Sequence, residues 1–255
     1  MNNNSALGID IGGSGIKFGY IDLDTGEMIG ERIKCDTPQP STPHAIAACI
    51  RDTLSTLDFK GDKIGVGFPA IIQDGVALSA ANIDKSWIGT NVEQVLQAYT
   101  GHRYFVINDA DAAGMAERMF GRIRNVKGTV ILLTLGTGIG SALFYDGILI
   151  PNTEFGHIQY RGKIAEDWVS NRARKERSLD YNAWAIELAE FLDYMILLFS
   201  PRLFVLGGGI SFRFNEFSHH FDRLRVPVTS ASGYNDAGIT GAALAAYPEL
   251  LEPYT

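Results

Sequence analysis

Leu7-Gly8-Ile9-Asp10-Ile11-Gly12-Gly13-Ser14-Gly15-Ile16-Lys17 is the stretch that decides the fold. An apolar run carrying one aspartate stops at four turn residues and restarts at once as a second apolar run, Ile16 to Leu23. Asp24-Thr25-Gly26 is a further turn signal, and a third run to Ile33 completes a strand-turn-strand-turn-strand meander. Pro38, Pro40 and Pro43 then break the chain. Beyond them Ala45, Ile46, Cys49, Ile50 and Leu54 recur at helical spacing, which predicts an amphipathic helix from Thr42 to about Leu57. Lys63 to Phe68 reads as a buried strand ended by Pro69. Tyr104 to Ile107 reads as another, leading into an alanine-rich helix from Asn108 to Phe120.

The outline then repeats. Thr129 to Leu135 is a continuous apolar strand, Gly136-Thr137-Gly138 turns it, and Ile139 to Tyr145 returns, with Asp146-Gly147 opening a further hairpin. Helices are expected at about 165 to 176 and 180 to 199, then a strand at Leu203 to Leu206, the triplet Gly207-Gly208-Gly209, and a last helix from Ala237 to Tyr247. Two halves that each open with strand, glycine turn and strand predict a duplicated α/β unit with a cleft between the halves. The expected division is residues 1–107 plus 238–255 as a smaller N-terminal lobe and 108–237 as a larger C-terminal lobe.

Composition narrows the functional classes. With 255 residues, 46% hydrophobic and 20% charged, the chain can bury a sizeable core and does not have the composition of a disordered tail. It lacks a run of about 18 apolar residues, and the start MNNNSALGIDIGG has neither the basic flank nor the cleavage site of a secretory leader. The expectation is a cytoplasmic protein with no membrane partner. Cys35 and Cys49 cannot build a disulfide framework or a four-ligand zinc site and read as reduced thiols. A net charge of -7 argues against a general nucleic-acid binder.

Three glycine-rich turns each follow an apolar strand: Gly12-Gly13-Ser14-Gly15, Gly136-Thr137-Gly138 and Gly207-Gly208-Gly209. Glycine lets backbone amides approach phosphate oxygens closely, and Asp10, Ser14, Lys17 and Thr137 stand beside them. One such turn is explained by positive φ alone; three at strand ends point to phosphate. The dinucleotide fingerprint is disfavoured. In Gly136-Thr137-Gly138-Ile139-Gly140 the third glycine comes one residue too early, and a strand-like segment follows instead of a helix. No Gly-Lys-Ser/Thr follows any of the turns, which disfavours a P-loop as well.

Asn108-Asp109-Ala110-Asp111 places two carboxylates at a strand end and helix start. One reading is local: Asn108 caps the helix and Asp109 complements its dipole. The other is chemical: Asp109 is a general base that takes the proton of a hydroxyl attacking phosphorus. Asp10, beside a glycine turn, suits a magnesium ion that bridges phosphate oxygens. Glu154-Phe155-Gly156-His157 with Glu166, and Asn82 to Trp87, supply the polar groups a sugar needs, with Trp87 a candidate to pack on the ring face. His44, His102, His219 and His220 read as surface residues.

Taken in order, these motifs resemble the ROK family of sugar kinases, within the actin-like, hexokinase-like ATPase fold. Leu7 to Lys17 resembles its first phosphate motif, Asn108-Asp109 its catalytic motif, Leu135 to Gly140 its second phosphate motif, Glu154 to His157 its signature, and Leu206 to Ser211 its distal nucleotide-side motif. The resemblance implies that Asp109 is the catalytic base and that Asn82, Asn108, Glu154, His157 and Glu166 contact sugar. It also implies magnesium and favours a homodimer. Two features depart from many members. The stretch Ile158 to Arg177 has no cysteine, so structural zinc is not expected, and six residues before the first strand leave no room for a helix-turn-helix.

Ala80 to Trp87, Asn108 to Gly114, Thr134 to Leu143 and Pro151 to Glu154 resemble the branch that phosphorylates glucose at its 6-hydroxyl from inorganic polyphosphate, some relatives also accepting ATP or mannose. The alternatives are a strictly ATP-dependent hexose or amino-sugar kinase and a sugar sensor without turnover. Arg161, Lys163, Arg172, Arg174, Lys175 and Arg177 place six of 22 basic residues in one short stretch. That run reads either as a solvated helix face, paired with Glu166, Asp167 and Glu176, or as the start of a polyanion track.

Overall fold

The computed structural model describes residues 4–57, 59–233 and 236–251. The described residues pack as two units, one formed by residues up to 116 together with 236–251 and the other by 117–233. In the first unit the expected meander forms as β1 (Ser5–Ile11), β2 (Ile16–Asp22) and β3 (Met28–Cys35). With β4 (Lys63–Phe68) and β5 (Arg103–Asn108) it makes a five-stranded sheet of order β3-β2-β1-β4-β5. The meander is antiparallel, while β4 lies parallel to β1 and β5 parallel to β4. Helix α1 (Pro43–Leu57) buries Ile46, Ile50 and Leu54 against Leu7, Ile9, Phe18, Ile64 and Val66 of this sheet.

Helix α2 (Val92–Thr100) adds Val92 and Leu96 to that core, in a stretch to which the sequence reading assigned no helix. Its end signals are present: the Asn91 side chain accepts a hydrogen bond from the Gln94 amide at 2.9 Å, and Gly101 closes it at φ +79°. At nine residues it is too short to show a long apolar stripe. Cys35 and Cys49 lie side by side on β3 and α1, their sulfurs 2.9 Å apart. Burial, with Cys35 beside it, pushes the Cys49 thiol up to about 12.

The second unit repeats the sheet. Strands β6 (Thr129–Leu135), β7 (Ile139–Tyr145), β8 (Ile148–Ile150), β9 (Leu203–Gly207) and β10 (Val228–Ser230) take the order β8-β7-β6-β9-β10. An antiparallel meander again stands beside two parallel strands, which is the duplication the sequence outline predicted. The helix expected at about 165 to 176 is two short helices, α4 (Glu166–Val169) and α5 (Asn171–Glu176). They part at Ser170, which has extended backbone and whose hydroxyl accepts from the Ala173 amide at 3.1 Å to start α5. Helix α6 (Tyr181–Phe199) packs Trp184, Leu188, Phe191 and Leu192 on the face of β6 and β9 that carries Ile131, Leu133, Phe204 and Leu206. A short α7 (Phe214–Phe217) adds Phe217 to the same core. None of the described helices is long and apolar enough to cross a membrane.

Helix α3 (Asp109–Phe120) carries the chain from one unit to the other, so the division falls inside it and not at residues 107 and 108, where the sequence reading placed it. A continuous helix has no turn residue to mark such a change. Near its end the buried Glu117 carboxylate accepts from the amides of Arg122, Ser232 and Gly233 at 2.8, 2.6 and 2.7 Å. The second division, at 235/236, lies close to the expected 237/238, and residues 1–3 and 252–255 of the expected lobe lie outside those described.

The returning helix α8 (Ala237–Ala245) lies on β1 and β4 with backbone against backbone. A Cβ on Gly8 would stand 2.0 Å from the Ile239 carbonyl oxygen, one on Gly65 1.6 Å from that of Ala242, and one on Gly241 1.6 Å from that of Ala112 in α3. These three positions accept hydrogen only. Gly65→Ala is expected to destabilise the protein by about 3 kcal/mol or more, since no side-chain rotation relieves a clash with backbone. Gly136→Ala, where a Cβ meets nothing within 4 Å, is expected to stay within about 0.5 kcal/mol of wild type. Urea unfolding of both variants checks the contrast.

Candidate active site

In the first unit the register aligns Asp10 of β1 with Gly67 of β4, and Gly67 with Ile107 of β5. Asp10 and the Asn108-Asp109 pair therefore sit at the same carboxyl edge of one sheet, the edge outside which open α/β sheets bind ligands. The first glycine turn is closed by the Gly12 amide donating to the Gly15 carbonyl at 2.9 Å, and the Thr37 hydroxyl donates to the Gly12 carbonyl at 2.5 Å. A Cβ on Gly13 would meet the Asn82 carbonyl oxygen at 2.7 Å, so this turn and the Asn82 loop are in contact. Asp10 is bound by the Lys17 ammonium at 2.7 Å.

Asn108 is buried and structurally committed. Its Oδ1 accepts from the amides of Ala110 and Asp111 at 2.9 and 3.1 Å, capping α3, and its Nδ2 donates to the Ala70 carbonyl at 3.0 Å. A second amide hydrogen is what it could offer a sugar. Asp109 is half-buried in the first turn of α3, where amide dipoles favour an anion, and its Oδ1 accepts from the Ala110 amide at 2.8 Å. Asn82 is exposed. The expected ring-stacking role of Trp87 is corrected: its side chain is fully buried, edge-on to Phe68 at 4.8 Å, with the indole N–H donating to the Ser41 carbonyl at 2.9 Å.

In the second unit Gly207 pairs with Thr134 across the parallel strands β9 and β6, which sets the Gly136-Gly138 turn beside Gly207-Gly209. Gly208, at φ +79°, passes so close to Leu135 that a Cβ would stand 3.1 Å from its backbone oxygen. Glu166, at the start of α4, joins two motifs that are far apart in sequence. Its Oε2 accepts from the Ile139 amide at 3.2 Å, and a Cβ on Gly138 or Gly156 would stand 2.5 or 3.2 Å from that oxygen. At Gly138 it is this carboxylate that occupies the Cβ space, while at Gly156 the nearer obstacle is the Ile139 carbonyl oxygen, 2.5 Å from a Cβ. Glu154 meets His157 at 3.1 Å, and burial, partly offset by His157 and reinforced by Glu166, raises its carboxyl above the ordinary range. Ser141 of β7, which the sequence reading passed over, holds this segment: its hydroxyl donates to the Thr153 carbonyl at 2.6 Å and accepts from the Phe155 amide at 3.0 Å. A serine on an otherwise apolar core strand was the signal available.

The basic run is largely spoken for within its own unit. Arg161 pairs with Glu190, Arg177 with Glu187 and the Trp168 carbonyl, and Arg174 with Asn171, the Leu179 carbonyl and the Tyr181 ring. Arg172 donates to the Thr137 carbonyl in the second glycine turn at 2.9 Å. The paired-face reading describes this run better than a free polyanion track.

The ROK family's sequence pattern matches residues 6–176. This chain belongs to the ROK family. Among its relatives, a polyphosphate glucokinase of Mycobacterium tuberculosis (strain CDC 1551 / Oshkosh) is 45% identical over 240 residues, 94% of this chain and 90% of the relative. The crystal structure of the inorganic polyphosphate/ATP-glucomannokinase from Arthrobacter sp. strain KM superposes with a TM-score of 0.91 at 45% identity, covering 97% of this chain and all of that one. A ROK glucokinase from Streptomyces griseus, solved with glucose and AMPPNP, gives 0.78 at 24% identity over 95% of this chain and 99% of its own, a likeness of fold. The chain has the two-domain, hexokinase-like α/β fold of these ROK sugar kinases.

The raised Glu154 carboxyl has a stability consequence in this ROK protein. A group that holds its proton more tightly when folded adds stability below its unfolded value, and this is lost as pH rises through the folded value. Glu154→Gln removes the cost of ionising a buried carboxylate. Its melting temperature at pH 7 is expected to exceed that of wild type, with the difference shrinking towards pH 4. Thermal melts at the two pH values check it.

Proposed function

We propose that this ROK protein is a polyphosphate-dependent glucokinase, which transfers a phosphoryl group from inorganic polyphosphate to the 6-hydroxyl of glucose. The observation that carries the reading is 45% identity to a polyphosphate glucokinase over 94% of the chain. Asp109, its carboxylate fixed by the first turn of α3, takes the proton of the 6-hydroxyl as that oxygen bonds to phosphorus. The bond from phosphorus to the bridging oxygen breaks, and the polyphosphate leaves one unit shorter. The amides of the Gly12-Gly15, Gly136-Gly138 and Gly207-Gly209 turns, with Ser14, Lys17 and Thr137, hold the phosphate oxygens, and positioning with electrostatics lowers the barrier. Asn82, Asn108, Glu154, His157 and Glu166 orient the sugar.

Magnesium belongs to this reading. The ion is commonly held by one or two carboxylates together with substrate phosphates and water, so Asp10 alone can supply the protein's share. Among the described residues no group of three or more His, Cys, Asp or Glu side chains forms a cage of its own. When bound, the ion would neutralise charge on the donor phosphates.

ATP as a second donor is supported by the printed name of the Arthrobacter relative. A homodimer and a cytoplasmic location rest on the family resemblance and on composition. The sensor alternative leaves the combination of Asp109 and three glycine turns without a use.

The test is purified protein with glucose and magnesium, comparing polyphosphate with ATP and following glucose 6-phosphate. Asp109→Asn is expected to lower kcat by on the order of 100-fold or more while glucose affinity stays within about tenfold, because the amide keeps the shape and loses the base. A variant that keeps over half of the wild-type kcat removes Asp109 from the mechanism.

A further inference from the structure

Arg172 stands out from the rest of the basic run because its partners are the phosphate turn itself. Its Nε donates to the Thr137 carbonyl at 2.9 Å, and its backbone amide donates to the Gly136 carbonyl at 3.1 Å. On the other side of the guanidinium, Nη2 meets Asp167 at 3.3 Å and Glu166 at 3.8 Å, and Nη1 meets Glu176 at 3.8 Å. The turn is therefore held at both ends of one short link. Ile139, just after it, donates to Glu166, while Gly136 and Thr137, within it, accept from Arg172.

We propose that Arg172 is a positioning residue for phosphoryl transfer, fixing the Gly136-Thr137-Gly138 turn to Glu166 so that the donor-binding amides and a sugar-facing carboxylate form one rigid frame. The inference rests on the kinase reading and adds a residue to it. The physical argument is the direction of the carbonyls. A turn that binds phosphate must aim its amides at the ligand, which turns carbonyls the other way. On the exposed Thr137 water could satisfy that carbonyl but would leave the peptide free to turn, whereas an arginine fork offers donors in fixed geometry. With the Thr137 carbonyl engaged from behind, the peptide that presents the Gly138 amide cannot flip without breaking a charge-assisted hydrogen bond. Arg172 thus acts on phosphate through the turn and not by touching it. The paired-face environment of its guanidinium, with three carboxylates within 4 Å, suits an anchor better than a polyanion contact.

The experiment compares Arg172→Ala, Arg172→Lys, Asp167→Asn and Glu176→Gln in the full chain, with KM and kcat measured for polyphosphate and for ATP. Glucose affinity without donor is measured by calorimetry, and melting temperature for each variant. Arg172→Ala is expected to raise KM for both donors by a similar factor, about tenfold, and to lower kcat, since loss of a charge-assisted bond loosens the turn for any phosphate donor. Glucose affinity without donor is expected to change less than about twofold, because the Ile139 amide still holds Glu166. Arg172→Lys is expected to recover part of the loss, as one ammonium reaches either the carbonyl or the carboxylates. Asp167→Asn and Glu176→Gln keep the Thr137 bond and are expected to leave donor KM unchanged.

A polyphosphate KM rising several times more than the ATP KM would overturn the proposal in favour of direct polyanion contact. Unchanged donor KM in Arg172→Ala would overturn it outright. A fall in melting temperature with donor and glucose affinities weakened alike would reduce Arg172 to a structural role. Failure of the wild-type protein to phosphorylate glucose from either donor would instead sink the kinase reading, an outcome the variants do not produce.

Discussion

The closest constraint in the protein is the contact of helix α8 with strands β1 and β4 and helix α3, made through backbone atoms because Gly8, Gly65 and Gly241 carry no side chain. Any Cβ at these positions would stand within about 2 Å of a carbonyl oxygen, so the helix is seated as deep as a polypeptide allows. That seating fixes the first sheet relative to the start of α3. Asp10, at the end of β1, and Asp109, at the start of α3, share an edge through the register of β1, β4 and β5, and α8 packs against β1 and β4, two of the strands that set it. Gly238, in the first turn of α8, lies so close that a Cβ would be 3.1 Å from the Asp10 carboxyl carbon. The surroundings of Asp10 at this edge depend on a helix that arrives more than a hundred residues after Asp109.

The same logic of close approach recurs in the second unit with a side chain in place of a helix. Glu166 fills the space that a Cβ on Gly138 would need, it lies beside Gly156, and it accepts from the Ile139 amide. Gly138 makes room for a carboxylate, which holds the end of the Gly136-Gly138 turn and lies against Gly156 of the Glu154-His157 segment. Ser141 completes the arrangement from the strand side by holding Thr153 and Phe155. The Gly136-Gly138 turn and the Glu154-His157 segment are thus each held by a side chain from a remote position, Glu166 and Ser141.

Paired charges also divide labour. The run from Arg161 to Arg177 is nearly free of surplus cation once Glu166, Asp167, Glu176, Glu187 and Glu190 are counted, so its local field is small. Its value is geometric, each guanidinium tying a helix end or a turn to a neighbouring segment. A sequence shows such a run as charge. Only the fold shows it as a set of braces.

Much of the architecture was legible in the order of residues. The apolar runs of Leu7 to Leu23 and of Thr129 to Tyr145, broken by glycine turns, determined two meanders, because runs of strand length joined by residues tolerant of tight turns have few other solutions. Asn108-Asp109 announced a strand end and a helix start, and the Asn108 cap is the local reading made visible. What the order of residues left undecided was which groups meet across distance. Helix α2 is short and offers little periodicity. The break at Ser170 is one cap inside an otherwise helical stretch. Trp87 turned into the core because a large apolar ring gains more from burial against Phe68 than from a surface position. Gly65 and Gly241 are unremarkable in a list of 28 glycines until α8 is laid across them. Local pattern fixes the elements, since it acts over neighbouring residues. Packing decides the contacts, since excluded volume and hydrogen-bond pairing act only once remote segments share the same space.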